Sequence, residues 1–222
     1  MNVVITGTSR GIGLELTRHA LIKGHKVLAI ARKPQDSHEL MQLKNESKNL
    51  ILLQLDLDVE NAEQKIAQAV KDWSCVDVLI NNAGIYSDDK SRKDFELSFL
   101  TNSIMPLFVT RALLPMLKKS SRPVSLQITS QMGSIQDNTS GGSYSYRASK
   151  SALNMFFKCL SIDETWLISL LVHPGWVKTR MGGNGAPLSA VDSSAGIWKL
   201  IENADAGQNG SFLNYRGEKI PW

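Results

Sequence analysis

The first thirteen residues, Met1-Asn-Val-Val-Ile-Thr-Gly-Thr-Ser-Arg-Gly-Ile-Gly13, run from an apolar, β-branched stretch straight into a glycine-rich turn. Beyond the turn, Ile12, Leu16 and Ala20 share one helical face, and Gly24 is a stop signal. A strand, a turn made of Gly7, Thr8, Ser9, Arg10, Gly11, Ile12 and Gly13, and then a helix is how a βαβ unit opens. There, glycines permit a tight turn and a close backbone approach, while the helix N-terminus offers unpaired N–H groups and a positive dipole end. The ligand suited to that place is a phosphate.

Outward from this unit, apolar runs recur at 26–31, 50–55, 76–80, 123–129 and 167–172, with a weaker one at 211–214. Helical stretches alternate with them, such as Asn61 to Lys71, which carries Ile66, Ala69 and Val70. The alternation predicts an α/β fold: a Rossmann-type, doubly wound parallel sheet of about seven strands with helices on both faces. No repeat or linker interrupts it, so residues 1–222 read as a single domain, long enough to bury about 70% of its unfolded surface.

Composition narrows the function. Hydrophobic residues make up 42% and charged residues 21%, ordinary globular usage. The net charge of +4 is spread without a dense Lys/Arg run, so neither nucleic acid nor a membrane is an expected partner. Cys75 and Cys159, and His19, His25, His38 and His173, lack paired or ligand spacing, so neither a disulfide nor a metal site is expected. No apolar run approaches the ~18 residues of a membrane span, and the first strand starts too early for a signal peptide. The expected compartment is the cytoplasm.

Two helical stretches carry more. From Tyr144 to Leu160, Ala148, Ala152, Leu153, Met155, Phe156, Phe157 and Leu160 point in nearly every direction, which predicts burial all round. Neighbouring elements or a second subunit would supply the cover, and a homodimer or homotetramer is expected. The stretch from Phe95 to Lys119 is helical in pattern but contains Pro106 and Pro115. Pro106 cannot donate to the carbonyl of Asn102, which is left free for another partner.

The second strand ends Ala29-Ile-Ala31-Arg32-Lys33. A domain that takes NAD usually places a carboxylate there for the ribose 2′-hydroxyl, and that charge would repel a 2′-phosphate. Here Ala31 stands in its place, Arg32 follows, and Arg10 lies in the glycine turn. An arginine fork suits a phosphate dianion, so NADP is the expected cofactor. Tyr146 and Lys150 lie at i and i+4, on one helix face. Asn81-Asn82-Ala83-Gly84 ends the fourth strand, Gln127-Ile-Thr-Ser130 the fifth, and Pro174-Gly-Trp-Val-Lys-Thr179 follows the sixth. All fall at the carboxyl edge of the sheet, where open α/β sheets bind ligands.

The spacing T-G-x-x-x-G-x-G, together with N-N-A-G, the strand-end serine, Y-x-x-x-K and P-G-x-V-x-T, resembles the short-chain dehydrogenase/reductase family over essentially the whole chain. Asn138–Tyr144, His173–Thr179, Phe212–Tyr215 and Ile220–Trp222 are most similar to its branch of sniffer-type carbonyl reductases and C-factors. The resemblance implies hydride transfer between NADP and a small carbonyl or alcohol, with a tetrad of Asn102, Ser130, Tyr146 and Lys150. It also implies a cofactor held by the glycine turn, Arg32, Asp56 and Leu57 near the adenine, Asn82, Ala83 and Gly84, Tyr146 and Lys150, and Pro174, Gly175, Val177 and Thr179 at the nicotinamide end. The chemistry is consistent with those residue types: a tyrosine of pKa ~10 must drop by ~2–3 units to exchange protons near neutrality, and Lys150 can stabilise its phenolate. The carbonyl of Asn102 would hold a water against Lys150. Met132, Ile135, Tyr86, Trp176 and Met181 are candidate substrate walls.

Two alternatives stay open on sequence alone. Sixteen positions separate Ser130 from Tyr146, more than the resemblance implies, and Ser134, twelve before it, competes for the role. A nucleotide-sensing or C-factor-like signalling protein on the same fold competes with an enzyme, because fold alone does not fix function.

Overall fold

The computed structural model describes residues 1–222. The strands are β1 (Asn2–Thr6), β2 (Lys26–Ala31), β3 (Leu50–Gln54), β4 (Val78–Asn81), β5 (Val124–Ile128), β6 (Ile168–His173) and β7 (Ser211–Asn214). They form one parallel sheet in the order β3-β2-β1-β4-β5-β6-β7. The helices are α1 (Gly11–Ile22), α2 (His38–Glu46), α3 (Ala62–Ala69), α4 (Arg92–Phe99), α5 (Met105–Leu117), α6 (Tyr144–Asp163) and α7 (Ala190–Glu202).

β1 shows why the runs are apolar throughout. Val3, Val4 and Ile5 are fully buried; Val3 and Ile5 join the core beneath α1, α2 and α7, and Val4 the core beneath α3, α5 and α6. A strand covered on both faces needs apolar residues at every position, and each such side chain contributes about 1.5–3 kcal/mol. Trp198 seals the first core by packing α7 on α1, its indole N–H donating to the Leu16 carbonyl at 3.0 Å. The chain adds β2 and β3 on one side of β1, then returns to add β4 on the other. The connections leaving β1 and β4 therefore diverge and open a crevice at the carboxyl edge.

The helix expected from Phe95 begins at Arg92, capped reciprocally by Ser91 and Asp94. It does not run evenly through Pro106. Leu100–Ile104 widens to a π-turn, with Met105 N–H donating to the Leu100 carbonyl five residues back, and α5 then restarts with Pro106 in its first turn, where no donor is needed. A buried amide fastens this junction to the sheet: Asn81 Nδ2 donates to the Pro106 carbonyl at 3.3 Å, Thr110 Oγ1 at 2.9 Å and Gln127 Oε1 at 2.7 Å.

Two helical stretches bear on the expectations above. The continuous helical stretch Arg92–Leu117 is, by length and composition, apolar enough to cross a membrane; its apolarity goes into the core, where Val109, Leu113 and Leu117 are fully buried. Within one chain, α6 is not covered all round. Leu153, Phe157 and Leu160 face the sheet, but Met155 is 62% and Ile162 64% exposed, and Ala148 and Cys159 also face outward.

Candidate active site

The glycine turn is shaped by its own backbone. The N–H groups of Gly7 and Thr8 donate to the Ile30 carbonyl at 2.9 and 3.2 Å, which folds the turn over β2. Gly7 has φ +72° and a Cβ there would lie 2.8 Å from Ala83 Cα; a Cβ on Gly13 would fall into the Gly7 carbonyl and the Asn82 amide. The turn therefore excludes side chains at both positions. Helix α1 starts at Gly11 with no side-chain cap and no acidic residue in its first turn, so its leading N–H groups and positive dipole end remain for an anion. Asn82 works behind this loop, its Nδ2 donating to the carbonyls of Thr6 and Gly7, both at 2.9 Å. It shapes the cradle.

Arg10 and Arg32 are both exposed, and neither enters any of the four ion pairs of the chain. The Ser37 hydroxyl, at the N-cap of α2, donates to the Ser9 carbonyl at 2.7 Å and holds this corner closed. Asp56 lies half-buried just past β3, with Leu57 packed inward behind it. From the other side, the Thr179 methyl reaches Gly11, 3.1 Å from where a Cβ would stand. Val177 bridges to Leu188, and Gly175 turns the chain at φ +86° after Pro174. Residues 174–179 and the glycine turn thus close on one crevice.

The four candidate catalytic residues converge at the same edge, all nearly or fully buried. Lys150 Nζ donates to the Ile128 carbonyl at 2.9 Å and lies 5.9 Å from the centre of the Tyr146 ring. Burial pushes the Tyr146 phenol up to about 12, and the Ser130 hydroxyl beside it offsets only part of that. Burial brings Lys150 down to about 8. At neutral pH the phenol is protonated and the lysine is mostly cationic. The lowered phenol is expected from Lys150 together with the charge of an oxidised cofactor; in the protein alone desolvation outweighs a single hydrogen bond. Ser134 is engaged elsewhere, its hydroxyl accepting Asp137 N–H at 3.1 Å within the loop after β5.

Asn102 engages the site through its side chain. Oδ1 accepts from Ile85 N at 2.8 Å, while Nδ2 donates to the Ile85 carbonyl and to Ser149 Oγ, both at 3.0 Å. Ser149 Oγ then donates to the Tyr146 carbonyl at 2.9 Å. The end of β4 is thereby linked to the helix carrying Tyr146. Gly84 sits between the two polar groups; a Cβ there would lie 3.2 Å from Asn102 Oδ1 and 3.6 Å from Lys150 Nζ. Sequence reasoning misses Ile85, Ser149 and the Asn81–Gln127 amide pair, since nothing in their spacing marks them.

Of the candidate substrate walls, Tyr86 (48% exposed), Ile135, Trp176 and Met181 are exposed and Met132 is partly buried. His173, at the end of β6, has a buried Nδ1 without a partner, and burial brings its pKa down to about 4. The folded protein then refuses a proton that the unfolded chain accepts below about pH 6.5. Its contribution is complete above pH 6.5 and is lost as pH falls towards 4. Urea unfolding at pH 7 and 4.5 should show wild type losing about 2–3 kcal/mol more than His173→Asn over that interval; equal losses would contradict this assignment.

With this geometry in hand, the comparisons with known proteins decide the family. Residues 1–187 match the model of the short chain dehydrogenases. The chain belongs to the short-chain dehydrogenase family. Among its relatives, this short-chain dehydrogenase is 42% identical over 154 residues to the C-signal of Myxococcus xanthus, an alignment covering 66% of this chain and 93% of that protein. Its structure superimposes on the carbonyl reductase Sniffer of D. melanogaster with a TM-score of 0.95 at 34% identity, covering 100% of this chain and 99% of the other. An NADPH-bound carbonyl reductase from chicken fatty liver gives 0.91 at 35% identity, covering 100% and 98%.

Proposed function

We propose that this short-chain dehydrogenase is an NADP-dependent carbonyl reductase, acting as a single cofactor-binding domain on small carbonyl or alcohol substrates in the cytoplasm. The observation that carries the reading is the convergence of a protonated, buried phenol, a buried lysine and an uncapped glycine-turn helix on one crevice. The residues present fit the cofactor: the turn 7–13 would hold the pyrophosphate, and Arg10 and Arg32, without carboxylate partners, the 2′-phosphate. Asp56 and Leu57 would flank the adenine, with Ala83, Gly84 and 174–179 towards the nicotinamide. When bound, the cofactor would supply the hydride and, once oxidised, a positive charge. Ser130 orients the substrate oxygen beside Tyr146. The phenol gives its proton to that oxygen as negative charge develops, and Lys150, held by the Ile128 carbonyl, stabilises the phenolate left behind. Asn102 fixes the distance between the end of β4 and α6 through Ile85 and Ser149.

Oxidation of NADPH with a panel of aldehydes, ketones and quinones tests the reading, and no turnover above the protein-free rate would refute it. The C-signal relative favours one other reading, a nucleotide-sensing or signalling role. Tight NADPH binding without turnover of any carbonyl would support that instead. The two free cysteines suit a reducing compartment. The exposed apolar residues Phe108 on α5 and Met155 and Ile162 on α6 are where a second copy would pack, and sedimentation at micromolar concentration should show a dimer or tetramer.

The loop between Ser130 and Tyr146 would form the substrate side of the crevice. Gln131 Nε2 donates to Asp137 Oδ2 at 2.9 Å, and Arg147 on α6 grips the far end, donating to the carbonyls of Gly141 and Gly142 at 3.2 and 3.1 Å and to Ser140 Oγ at 2.8 Å. Deleting Thr139–Gly141 removes part of this grip while leaving the glycine turn untouched. The expected result is a change of about ten-fold or more, roughly 1.4 kcal/mol, in kcat/KM for at least one of two unlike carbonyl substrates, with NADPH Kd unchanged. If activity on both falls only in step with melting temperature, the loop is structural.

A further inference from the structure

Tyr86 is not used by the chemistry above, yet it is the aromatic side chain that packs on Tyr146. The two ring centres are 4.9 Å apart and the planes tilted by 49°. Tyr86 is half-exposed and contributes little to either core. Its hydroxyl is hydrogen-bonded to Ser143 Oγ, just ahead of α6.

That end of α6 is built in an unusual way. Ser143 occupies the N-cap position at φ +49° and gives the helix no side-chain cap. The cap comes from the opposite loop, where Asp89, itself at φ +59°, accepts Ser145 N–H on Oδ1 at 3.0 Å. Two non-glycine residues in the left-handed region face each other across this junction, a conformation that persists only where the surroundings enforce it. Asn102 holds the same loop at Ile85 by two hydrogen bonds. Residues 85–89 therefore meet the first turns of α6 at three places: Asp89 on Ser145, Tyr86 on Ser143, and the Tyr86 ring on the Tyr146 ring.

We propose that Tyr86 is a positioning residue for Tyr146, fixing the orientation of the phenol through ring contact and shielding its solvent side. This rests on the reading of Tyr146 as the proton donor. The phenol has a single hydroxyl neighbour, Ser130, and Asn102 reaches only the helix backbone, through Ser149 to the Tyr146 carbonyl. The Tyr86 ring supplies the missing restraint by its direct contact with the Tyr146 ring. Because Tyr86 is half-exposed, its loss should cost turnover and leave stability and cofactor affinity nearly intact.

The chain has four tyrosines, so ring-labelled ¹³C-tyrosine spectra contain few signals, and Tyr146→Phe assigns the one of interest. In cofactor-free protein, Tyr86→Ala should move and broaden the Tyr146 signal, and Tyr86→Phe should preserve it. In turnover, Tyr86→Ala should lower kcat at least ten-fold with NADPH Kd and melting temperature near wild type, and Tyr86→Phe should restore it to within three-fold. An unchanged Tyr146 signal with kcat within two-fold in Tyr86→Ala overturns the proposal, as does a loss that follows the melting temperature. Failure of wild type to turn over any carbonyl would instead defeat the reductase reading, and the spectra would still judge the ring contact.

Discussion

Tyr146→Phe is expected to reduce kcat by about a hundred- to ten-thousand-fold, the range that a positioned acid/base contributes, while NADPH Kd stays within a few-fold. The substitution removes one oxygen and keeps the ring that meets Tyr86 and fills the pocket beside Lys150. Stability should change little, since Ser130 Oγ still accepts the Met132 N–H when the phenol oxygen is lost. Steady-state kinetics and NADPH titration of the variant check this, and retention of more than a tenth of wild-type kcat would remove Tyr146 from the mechanism. A phenol that is neutral in the protein is ready to donate, as carbonyl reduction requires. Alcohol oxidation needs the phenolate, which waits on the charges of Lys150 and the oxidised cofactor. Reduction should therefore hold its rate at neutral pH, and oxidation should rise as pH is raised.

Replacing Ala31 by Asp and Arg32 by Ala together is expected to move cofactor preference towards NAD by about 2–4 kcal/mol, through a new repulsion and lost charge-assisted hydrogen bonds. That corresponds to roughly thirty-fold to a thousand-fold in the ratio of kcat/KM values for NADH and NADPH. The structure qualifies the design. Arg32 is exposed, but Ala31 is only 4% exposed and belongs to the core beneath α1 and α2. A carboxylate at 31 begins partly desolvated and will cost stability, so Arg32→Ala and Arg10→Ala alone are the cleaner tests of phosphate binding. Each should weaken NADPH more than NADH without altering the melting temperature. Equal kcat/KM for the two cofactors in wild type would refute the assignment at once.

Most of the architecture is legible along the chain. The seven apolar runs become the seven strands because a parallel sheet sandwiched between helix layers demands apolar residues at consecutive positions, a local signature. The glycine turn is legible for a similar reason: backbone geometry there forbids side chains at Gly7 and Gly13, so the sequence must carry the mark. What sequence cannot show is work done by ordinary residues at a distance. Ser130 and Ser134 are chemically identical, and only the path of the loop puts one against the phenol and spends the other on Asp137. Pro106 correctly marks an irregularity, but the structure answers it with a π-turn and an Asn81 amide 25 residues away. The apolar outer side of α6 reads as buried in the sequence, although a helix pattern cannot say whether its cover belongs to the same chain.

Sequence alone thus determined the strand–helix alternation, the parallel sheet, the glycine turn and the i, i+4 pairing of Tyr146 with Lys150, since each follows from local geometry and short-range spacing. The tertiary structure decided the electrostatics and the alignment of the site. The phenol rises to about 12 and the lysine falls to about 8 because burial is a property of everything packed around them. The Asn102 side chain is hydrogen-bonded on both atoms because folding brings the Ile85 backbone and Ser149 to it. Tyr86 meets Tyr146 across sixty residues because the sheet places the end of β4 beside the start of α6. Desolvation and long-range contact are sums over the folded neighbourhood, and no window of sequence contains that neighbourhood.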